Sequence, residues 1–280
     1  MTDNRPIGVF DSGIGGLTVL REIWNSVPNE STIYFGDNSR TPYGTKSRST
    51  VIRYSLQNLK FLETKDVKMI VVACNTASAY AYEELKKRAG VPVVEVVTPG
   101  ADVACRSTKN GKIGIIATKA TVSTGVYKDA VEKRAEELGM KDIEIIQQAC
   151  PLFVSLAEEG WWDTEVTRLT AEEYLKPLKE AGVDTLVMAC THYPLLSKVI
   201  GEVMGDGVVL VNTGEATAKV VSELLEKEGI ASEGAGKNPV REFYTSDEPE
   251  LFEQVAAPFL GEGLPSGTKH FSTDKFEVTV

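Results

Sequence analysis

The sequence predicts an α/β protein of two pseudo-symmetric lobes, each with a mainly parallel sheet flanked by helices, with the functional site in the cleft between them. Two observations predict this fold class. Short apolar runs alternate with longer helical segments along most of the chain, and two pairs of motifs nearly repeat each other. A chain of 280 residues is long enough for two such lobes to bury a core.

The predicted strands are short runs rich in β-branched residues. In chain order they are IGVF at 7, TIYFGD at 32, MIVVAC at 69, VPVVEVV at 91, KIGIIAT at 112, IEIIQQAC at 143, TLVMAC at 185 and GVVLVN at 207. Segments with helical periodicity lie between them, such as LTVLREIW, STVIRYSLQNLKFLE and EVTRLTAEEYLKPLKEAG. This alternation is typical of parallel sheets covered by helices on both faces.

The internal repeat relates the two halves of the chain. IGVFDSGIGG resembles IGIIATKAT, with Gly8 opposite Gly114, and the stretch around Cys74 resembles the stretch around Cys190. Ligands of such sheets bind at the carboxyl ends of the strands. We therefore expect the two cysteines to lie on facing sides of one cleft.

The end of the chain has the least regular sequence. A helix is predicted over EATAKVVSELLEKEG, and the Gly-rich stretch ASEGAGKNPV, the run REFYTSD and the terminal HFSTDKFEVTV follow it. No long linker is evident.

Composition argues against several classes of protein. The formal net charge is -10 and no basic run occurs, which argues against a binder of nucleic acid or of a membrane surface. No apolar stretch approaches the length of a membrane span and the first residues lack a signal-peptide pattern, so a cytoplasmic location is expected. The cysteines form no CxxC pair, so neither a metal site nor a disulfide framework is expected.

The glycine-rich segment FDSGIGGLTVL follows the first strand. Its glycines permit a tight turn and bring backbone amides close to an anion at a helix N-terminus. A dinucleotide-binding loop is the alternative, because Asp37 ends the second strand, but Thr18 stands where the third glycine of G-x-G-x-x-G belongs. Asp11 is either a solvated helix cap or a partner for a substrate amine or a cysteine proton.

Cys74 and Cys190 each end an apolar strand and precede a predicted helix. The positive end of a helix dipole there lowers the pKa of a thiol from about 8.5 toward neutrality. A buried cysteine is often only a small apolar residue, but packing explains two equivalent cysteines poorly. Cys105 and Cys150 lack the threonine that follows the other pair, and we assign both to structure. A place in the lining of the cleft is the alternative for Cys150, which precedes Pro151.

His192 lies two residues beyond Cys190 and suits proton exchange with that thiol, since its ordinary pKa is about 6.5. A surface or purely hydrogen-bonding role is the alternative. Glu158 and Glu159 follow an apolar segment and either reach the cleft or are solvated at a helix end, and the sequence does not choose between them. His270 has no companion residue that suggests a function.

Two thiols meet a specific chemical need. A reaction that removes the proton of a stereogenic carbon and returns one on the opposite face requires an acid and a base on either side of the substrate. One thiolate and one thiol meet that requirement and exchange roles in the reverse direction.

The ordered motifs FDSGIGG, PYGTKS, ACNTAS and ACTHYPLL resemble those of the glutamate racemases, within the cofactor-independent aspartate/glutamate racemase superfamily. The resemblance runs from Ile7 to about Ala218. It implies interconversion of L- and D-glutamate without cofactor, metal or nucleotide, supply of D-glutamate to peptidoglycan, and a homodimer. It also implies a first lobe of residues 1–98 plus 213–280 and a second lobe of residues 99–212.

The same resemblance implies roles for single residues. Cys74 would act on the D-enantiomer and Cys190 on the L-enantiomer. Asp11 and His192 would assist the two thiols, with Glu158 as a further support. The positions that match the substrate-binding residues of the family are Asp11, Ser12, Tyr43, Gly44, Cys74, Asn75, Thr76, Thr191 and His192. The chemistry agrees with this match, because hydroxyls and amides of Ser12, Tyr43, Asn75, Thr76 and Thr191 can hold two carboxylates without an arginine.

Three other functions compete with this one. A racemase of aspartate or a related acid would also carry paired cysteines, although PYGTKS and ACTHYPLL favour glutamate. A two-lobed protein that closes on an amino acid without converting it would tolerate Cys74→Ser. A nicotinamide-dependent enzyme is opposed by the incomplete glycine motif.

Overall fold

The structure is a computed structural model that describes residues 2–232 and 238–280. Its strands are β1 (Ile7–Asp11), β2 (Thr32–Gly36), β3 (Met69–Val72), β4 (Val93–Glu95), β5 (Lys112–Ala117), β6 (Glu144–Ala149), β7 (Thr185–Ala189), β8 (Val209–Asn212), β9 (Arg241–Thr245) and β10 (Thr268–His270). Its α-helices are α1 (Leu17–Ser26), α2 (Arg48–Glu63), α3 (Asn75–Arg88), α4 (Val97–Ser107), α5 (Lys119–Thr124), α6 (Val126–Glu137), α7 (Leu152–Glu158), α8 (Glu165–Ala181), α9 (Ser197–Met204), α10 (Thr213–Glu228) and α11 (Pro249–Leu260).

The strands form two separate parallel sheets. The first has the order β10-β9-β2-β1-β3-β4 and the second the order β6-β5-β7-β8. We call each sheet with the helices that cover it the first and the second lobe. The α/β class predicted from the alternating pattern, with parallel sheets flanked by helices, is confirmed. The first sheet takes its strands from ranges 1–98 and 213–280, and the second from 99–212; the lobe boundaries themselves stay a prediction.

Apolar side chains fill both faces of each sheet, as a parallel sheet requires. In β1, Ile7 and Val9 belong to one buried cluster and Phe10 to the cluster on the opposite face. In β5, Ile115 and Ile116 divide between two clusters in the same way. The side-chain alternation of a strand thus places a core on each side of both sheets.

The helix ends carry the signals expected from their sequences. Ser47, Thr164 and Asn212 cap α2, α8 and α10, and each side chain accepts a hydrogen bond from a backbone N–H of the first turn. Gly182 and Gly229 end α8 and α10 with positive φ, a conformation that glycine adopts without a steric penalty. Local chemistry therefore sets these helix boundaries.

The end of the chain is more regular than its sequence indicates. Strands β9 and β10 extend the first sheet beyond β2, with Thr32 paired to Arg241, and α11 packs against α1. Strand β9 begins with two charged residues at the partly exposed end of the strand, so its sequence lacks an apolar run. Part of the Gly-rich stretch predicted after α10 lies outside the described residues.

Among the described residues, no helix combines the length and the apolar character that a membrane span needs.

Candidate active site

Cys74 lies between β3 and α3, where the first lobe faces the second. It is 5% exposed, and its Sγ accepts a hydrogen bond of 3.4 Å from the backbone N–H of Ala77 in the first turn of α3. Burial and the charge of Asp11 raise the pKa of Cys74 to about 12, against the lowering effect of the Ala77 amide. The expectation of a pKa near neutrality is therefore wrong for Cys74 in this structure, because desolvation exceeds the effect of the helix end.

Cys190 directly follows β7 on the other side of the cavity. The sequence predicts a helix directly after it, but a short 3-10 turn over Tyr193–Leu196 comes first and α9 begins only at Ser197. The sulfur lies 3.8 Å from Nδ1 of His192 instead. The closest charge-bearing partner of Cys190 is thus an imidazole rather than an α-helix dipole.

His192 joins Cys190 to Glu158. Its Nε2 lies 2.9 Å from Oε1 of Glu158, at the end of α7. Burial lowers the pKa of His192, but the hydrogen bonds to Cys190 and Glu158 outweigh burial and raise the pKa to about 10. Glu158, and not Glu159, makes this contact among the described residues, which decides the alternative that the sequence left open.

Asp11 ends β1 and is fully buried, which excludes the solvated helix cap considered for it. Its Oδ2 accepts a hydrogen bond of 3.1 Å from the backbone N–H of Gly13. Its Oδ1 has no hydrogen-bond partner within the described parts of the chain. Burial raises the pKa of Asp11, while the nearby His192 and backbone amides partly oppose that rise.

The glycine-rich loop after β1 packs directly against the second lobe. A Cβ atom added to Gly15 would lie 2.6 Å from Cε1 of His192 and would also overlap Oγ1 of Thr191. Thr18 donates a hydrogen bond of 2.8 Å to the carbonyl of Thr191 across the same contact. Gly15 therefore allows the backbone of the loop to approach the side chains of Thr191 and His192 in the second lobe, and a larger residue would not fit here.

A narrow cavity of about 30 Å³ lies between the two cysteines. It is lined by Ser12, Thr41, Pro42, Tyr43, Gly44, Cys74, Asn75, Thr76, Thr118, Val154, Cys190, Thr191 and His192. A single water molecule needs about 10–15 Å³ of such space. A molecule as large as an amino acid therefore enters the cavity only if the lobes separate.

The cavity brings together the residues predicted from the sequence. Nine of the eleven line it directly, namely Ser12, Tyr43, Gly44, Cys74, Asn75, Thr76, Cys190, Thr191 and His192. Asp11 and Glu158 lie behind this lining, against the glycine loop and His192. Cys105 and Cys150 are buried free thiols that do not line the cavity, as expected for structural residues.

Tyr43 differs from its expected use. Its hydroxyl donates to Oδ2 of Asp37 and accepts a hydrogen bond of 3.1 Å from Nδ2 of Asn58. The expectation that this hydroxyl holds a carboxylate is therefore not supported, because its proton goes to Asp37 and both of its partners belong to the first lobe itself. The ring and backbone of Tyr43, with Gly44, remain to face the cavity.

Hydroxyl groups that the sequence analysis missed complete the lining. Thr118 lines the cavity, and its Oγ1 lies 3.1 Å from Oγ1 of Thr76 and 3.1 Å from Oγ1 of Thr121. The internal repeat carried a signal for it. The shift that places Gly114 opposite Gly8, 114 − 8 = 106, also places Thr118 opposite Ser12, since 12 + 106 = 118.

The arrangement provides a sulfur on each side of one cavity, a charged imidazole beside one of them, and hydroxyl and amide groups between them. It suits proton transfer to and from a small molecule that carries carboxylates.

Comparison with known proteins points to the same chemistry. A family model described as Asp/Glu/Hydantoin racemase matches residues 7–232. The glutamate racemase of Geobacter metallireducens is 50% identical over 260 residues, which cover 93% of this chain and 94% of that protein.

Two crystal structures resemble the whole chain. A glutamate racemase isoform of Bacillus anthracis superposes with a TM-score of 0.90 at 35% identity, covering 96% of this chain and 98% of that one. The glutamate racemase of Francisella tularensis in complex with D-glutamate superposes with a TM-score of 0.89 at 37% identity, covering 98% and 100%. The similarity therefore extends over both lobes.

Proposed function

The chain belongs to the Asp/Glu/hydantoin racemase family, and we propose that it interconverts L-glutamate and D-glutamate by two-base proton transfer at the α-carbon. It is an amino-acid racemase, and the named relatives and the structure with bound D-glutamate make glutamate its substrate. The observation that carries the two-base proposal is the placement of Cys74 and Cys190, one from each lobe, on one cavity.

In the proposed reaction one proton leaves the α-carbon and another proton is added to the opposite face of that carbon. With D-glutamate, the Cys74 thiolate takes the α-proton, the C–H electron pair remains on the α-carbon, and the Cys190 thiol delivers a proton to the opposite face. With L-glutamate the two thiols exchange roles. A thiolate whose conjugate acid has a pKa of about 12, as at Cys74, is a strong base for a weakly acidic C–H, although less of it is present at neutral pH.

His192 and Asp11 are proposed to assist opposite thiols. With a pKa of about 10, His192 is protonated at neutral pH, and it can pass a proton to the Cys190 sulfur through Nδ1. Asp11 raises the pKa of Cys74 through its charge and holds a buried oxygen without a partner in the described residues. We propose that this oxygen receives a proton or a substrate ammonium group.

Donor groups around the cavity are proposed to hold the two substrate carboxylates. Asn75, Thr76 and Thr118, which carry a side-chain NH2 group or a hydroxyl, line this space, as do Ser12 and Gly44. Because these groups are held in place before substrate enters, they stabilise charge with little reorganisation. No cofactor has a role in the reaction that we propose.

The resemblance also supports a wider setting, which we propose with the activity. D-glutamate would serve peptidoglycan synthesis, and the protein would work as a cytoplasmic homodimer. The two lobes would comprise residues 1–98 plus 213–280 and residues 99–212.

The test is incubation with L-glutamate in D2O without any added cofactor. We expect optical rotation to fall while deuterium enters at the α-carbon, and we expect Cys74→Ala and Cys190→Ala to abolish racemisation. Cys105→Ala, which removes a thiol outside the cavity, is the matched control and should retain activity. If folded protein converts neither enantiomer of glutamate, the glutamate proposal fails, and the same assay with aspartate becomes the next step.

A further inference from the structure

We infer that Tyr127 is a positioning residue that fixes the side-chain amide of Asn75 with its NH2 group toward the cavity. The inference rests on the proposed function, because it assigns that NH2 group to a substrate carboxylate. Tyr127 belongs to the second lobe, whereas the Asn75 amide that it would position belongs to the first lobe.

The contact joins the two lobes. Tyr127 lies in α6 of the second lobe and is fully buried, and its hydroxyl donates to Oδ1 of Asn75. Asn75 is the first residue of α3 in the first lobe and directly follows Cys74. The bond therefore reaches across the lobe contact to the residue beside a proposed catalytic sulfur.

The other end of the amide points to a ligand. Asn75 is 3% exposed and lines the cavity, yet its Nδ2 has no hydrogen-bond partner within residues 2–232 and 238–280. A buried NH2 group without an acceptor is costly, and the proteins that retain one commonly need it. A carboxylate in the cavity would supply the missing acceptor.

The direction of the Tyr127 hydrogen bond decides which end of the amide faces the cavity. A tyrosine hydroxyl can donate or accept, so by itself it would accept either orientation of Asn75. In the structure Oδ1 of Asn75 faces the Tyr127 oxygen, so the hydroxyl donates, and Nδ2 is the end of the amide that has no partner among the described residues.

Loss of the hydroxyl should change substrate affinity more than turnover. Tyr127→Phe keeps the ring that fills the core but frees the amide to rotate, which would turn Oδ1 toward the substrate carboxylate. We expect KM for both enantiomers of glutamate to rise about tenfold and kcat to fall less than about threefold, as for one lost hydrogen bond to a charged group.

A double-mutant cycle separates positioning from a merely structural contact. If Tyr127 acts through Asn75, adding Tyr127→Phe to Asn75→Ala should leave KM at the value of Asn75→Ala alone. Additive changes in KM, or an unchanged KM in Tyr127→Phe, would overturn the inference. Tyr174→Phe is the control, because that hydroxyl contacts the backbone N–H of Leu152 outside the cavity, and it should leave KM unchanged. If Asn75→Ala fails to fold, Asn75→Ser takes its place in the cycle.

A second readout does not depend on turnover. The side-chain amide signals of Asn75 in a ¹⁵N-labelled sample are identified by their loss in the Asn75 variant. Tyr127→Phe should shift these signals and broaden them, whether or not glutamate is converted, and unchanged signals would contradict the inference. Activity of the wild-type chain in the D2O assay tests the proposed function separately, so failure of one does not imply failure of the other.

Discussion

Nε2 of His192 lies 2.9 Å from Oε1 of Glu158, and this contact connects a buried imidazole to a carboxylate whose side chain is 43% exposed. The imidazole contacts the Cys190 sulfur through its other nitrogen. The electrostatic state of one side of the cavity therefore depends on a residue at the end of α7.

Replacing Glu158 by Gln should lower the pKa of His192 and reduce racemisation. Burial lowers the pKa of His192, and in the variant the hydrogen bond to Cys190 would oppose that effect without the help of Glu158. The alkaline limb of the kcat–pH profile should therefore move to lower pH. We expect a loss of about tenfold in kcat at pH 8, as for an impaired general acid or base. Glu159→Gln, one residue further on, is the control and should leave the profile in place.

The same contact predicts a pH-dependent stability. The folded pKa of His192 is about 10, above its ordinary value of 6.5, so its stabilising effect is complete below about pH 6.5 and is lost as pH rises through 10. The thermal unfolding temperature of the wild type should be higher than that of Glu158→Gln at pH 7, and the two temperatures should be equal at pH 10.5. Because Glu158 is partly exposed, the gap should not exceed about 1 kcal/mol.

Asp11→Asn should make Cys74 more reactive and the protein less active. Burial and the Asp11 charge raise the pKa of Cys74, and removal of the charge lowers that pKa, so more thiolate is present at a given pH. Iodoacetamide labelling of Cys74 at pH 8.5, followed by mass spectrometry, should be several-fold faster than in wild type. Racemisation should fall at least about tenfold. Slower labelling of Cys74 in the variant would show that the Asp11 charge does not raise its pKa.

Gly15→Ala should strongly reduce activity, whereas the control variant Gly90→Ala should not. The added methyl group would overlap Thr191 and lie 2.6 Å from the His192 ring, so the two lobes could not close on the cavity. We expect kcat/KM to fall at least about a hundredfold, since small displacements of catalytic groups have effects of that size. Among the described residues other than its two chain neighbours, no atom lies within 4 Å of a Cβ added to Gly90, so Gly90→Ala should keep wild-type kinetics. Equal losses in the two variants would contradict the steric argument.

Thr18→Val should destabilise the chain and impair catalysis together. The variant preserves shape but leaves the buried carbonyl of Thr191 without its 2.8 Å hydrogen bond from the first lobe. We expect the free energy of unfolding in urea to fall by about 1–3 kcal/mol. Thr170→Val, which removes a hydroxyl whose one hydrogen bond within the described residues goes to the carbonyl of Val166 in the same helix, should change stability by less than about 0.5 kcal/mol.

Much of this molecule could be predicted from its sequence because the determining patterns are local. Strands such as Ile7–Asp11 and Thr185–Ala189 are buried at every position and mostly apolar, and the segments between them have helical periodicity, which leaves few alternatives to parallel sheets with helices. The carboxyl ends of parallel strands lie at one edge of a sheet, and the internal repeat places Cys74 and Cys190 at equivalent strand ends. The expectation that the two cysteines lie on one cavity therefore also followed from the sequence. The tail was the exception, since β9 begins with the charged residues Arg241 and Glu242 and has no apolar run that marks it as a strand.

The tertiary structure decided the details that depend on distant residues. Periodicity along the chain does not state which of Glu158 and Glu159 contacts His192, because successive helix residues point about 100° apart and the partner comes from another element. Nor does it show that burial exceeds the helix dipole at Cys74, that Asp37 holds the Tyr43 hydroxyl, or that Tyr127 reaches Asn75 across the lobes. Hydrogen-bond partners and desolvation are set by three-dimensional packing, and only the folded chain brings those groups together.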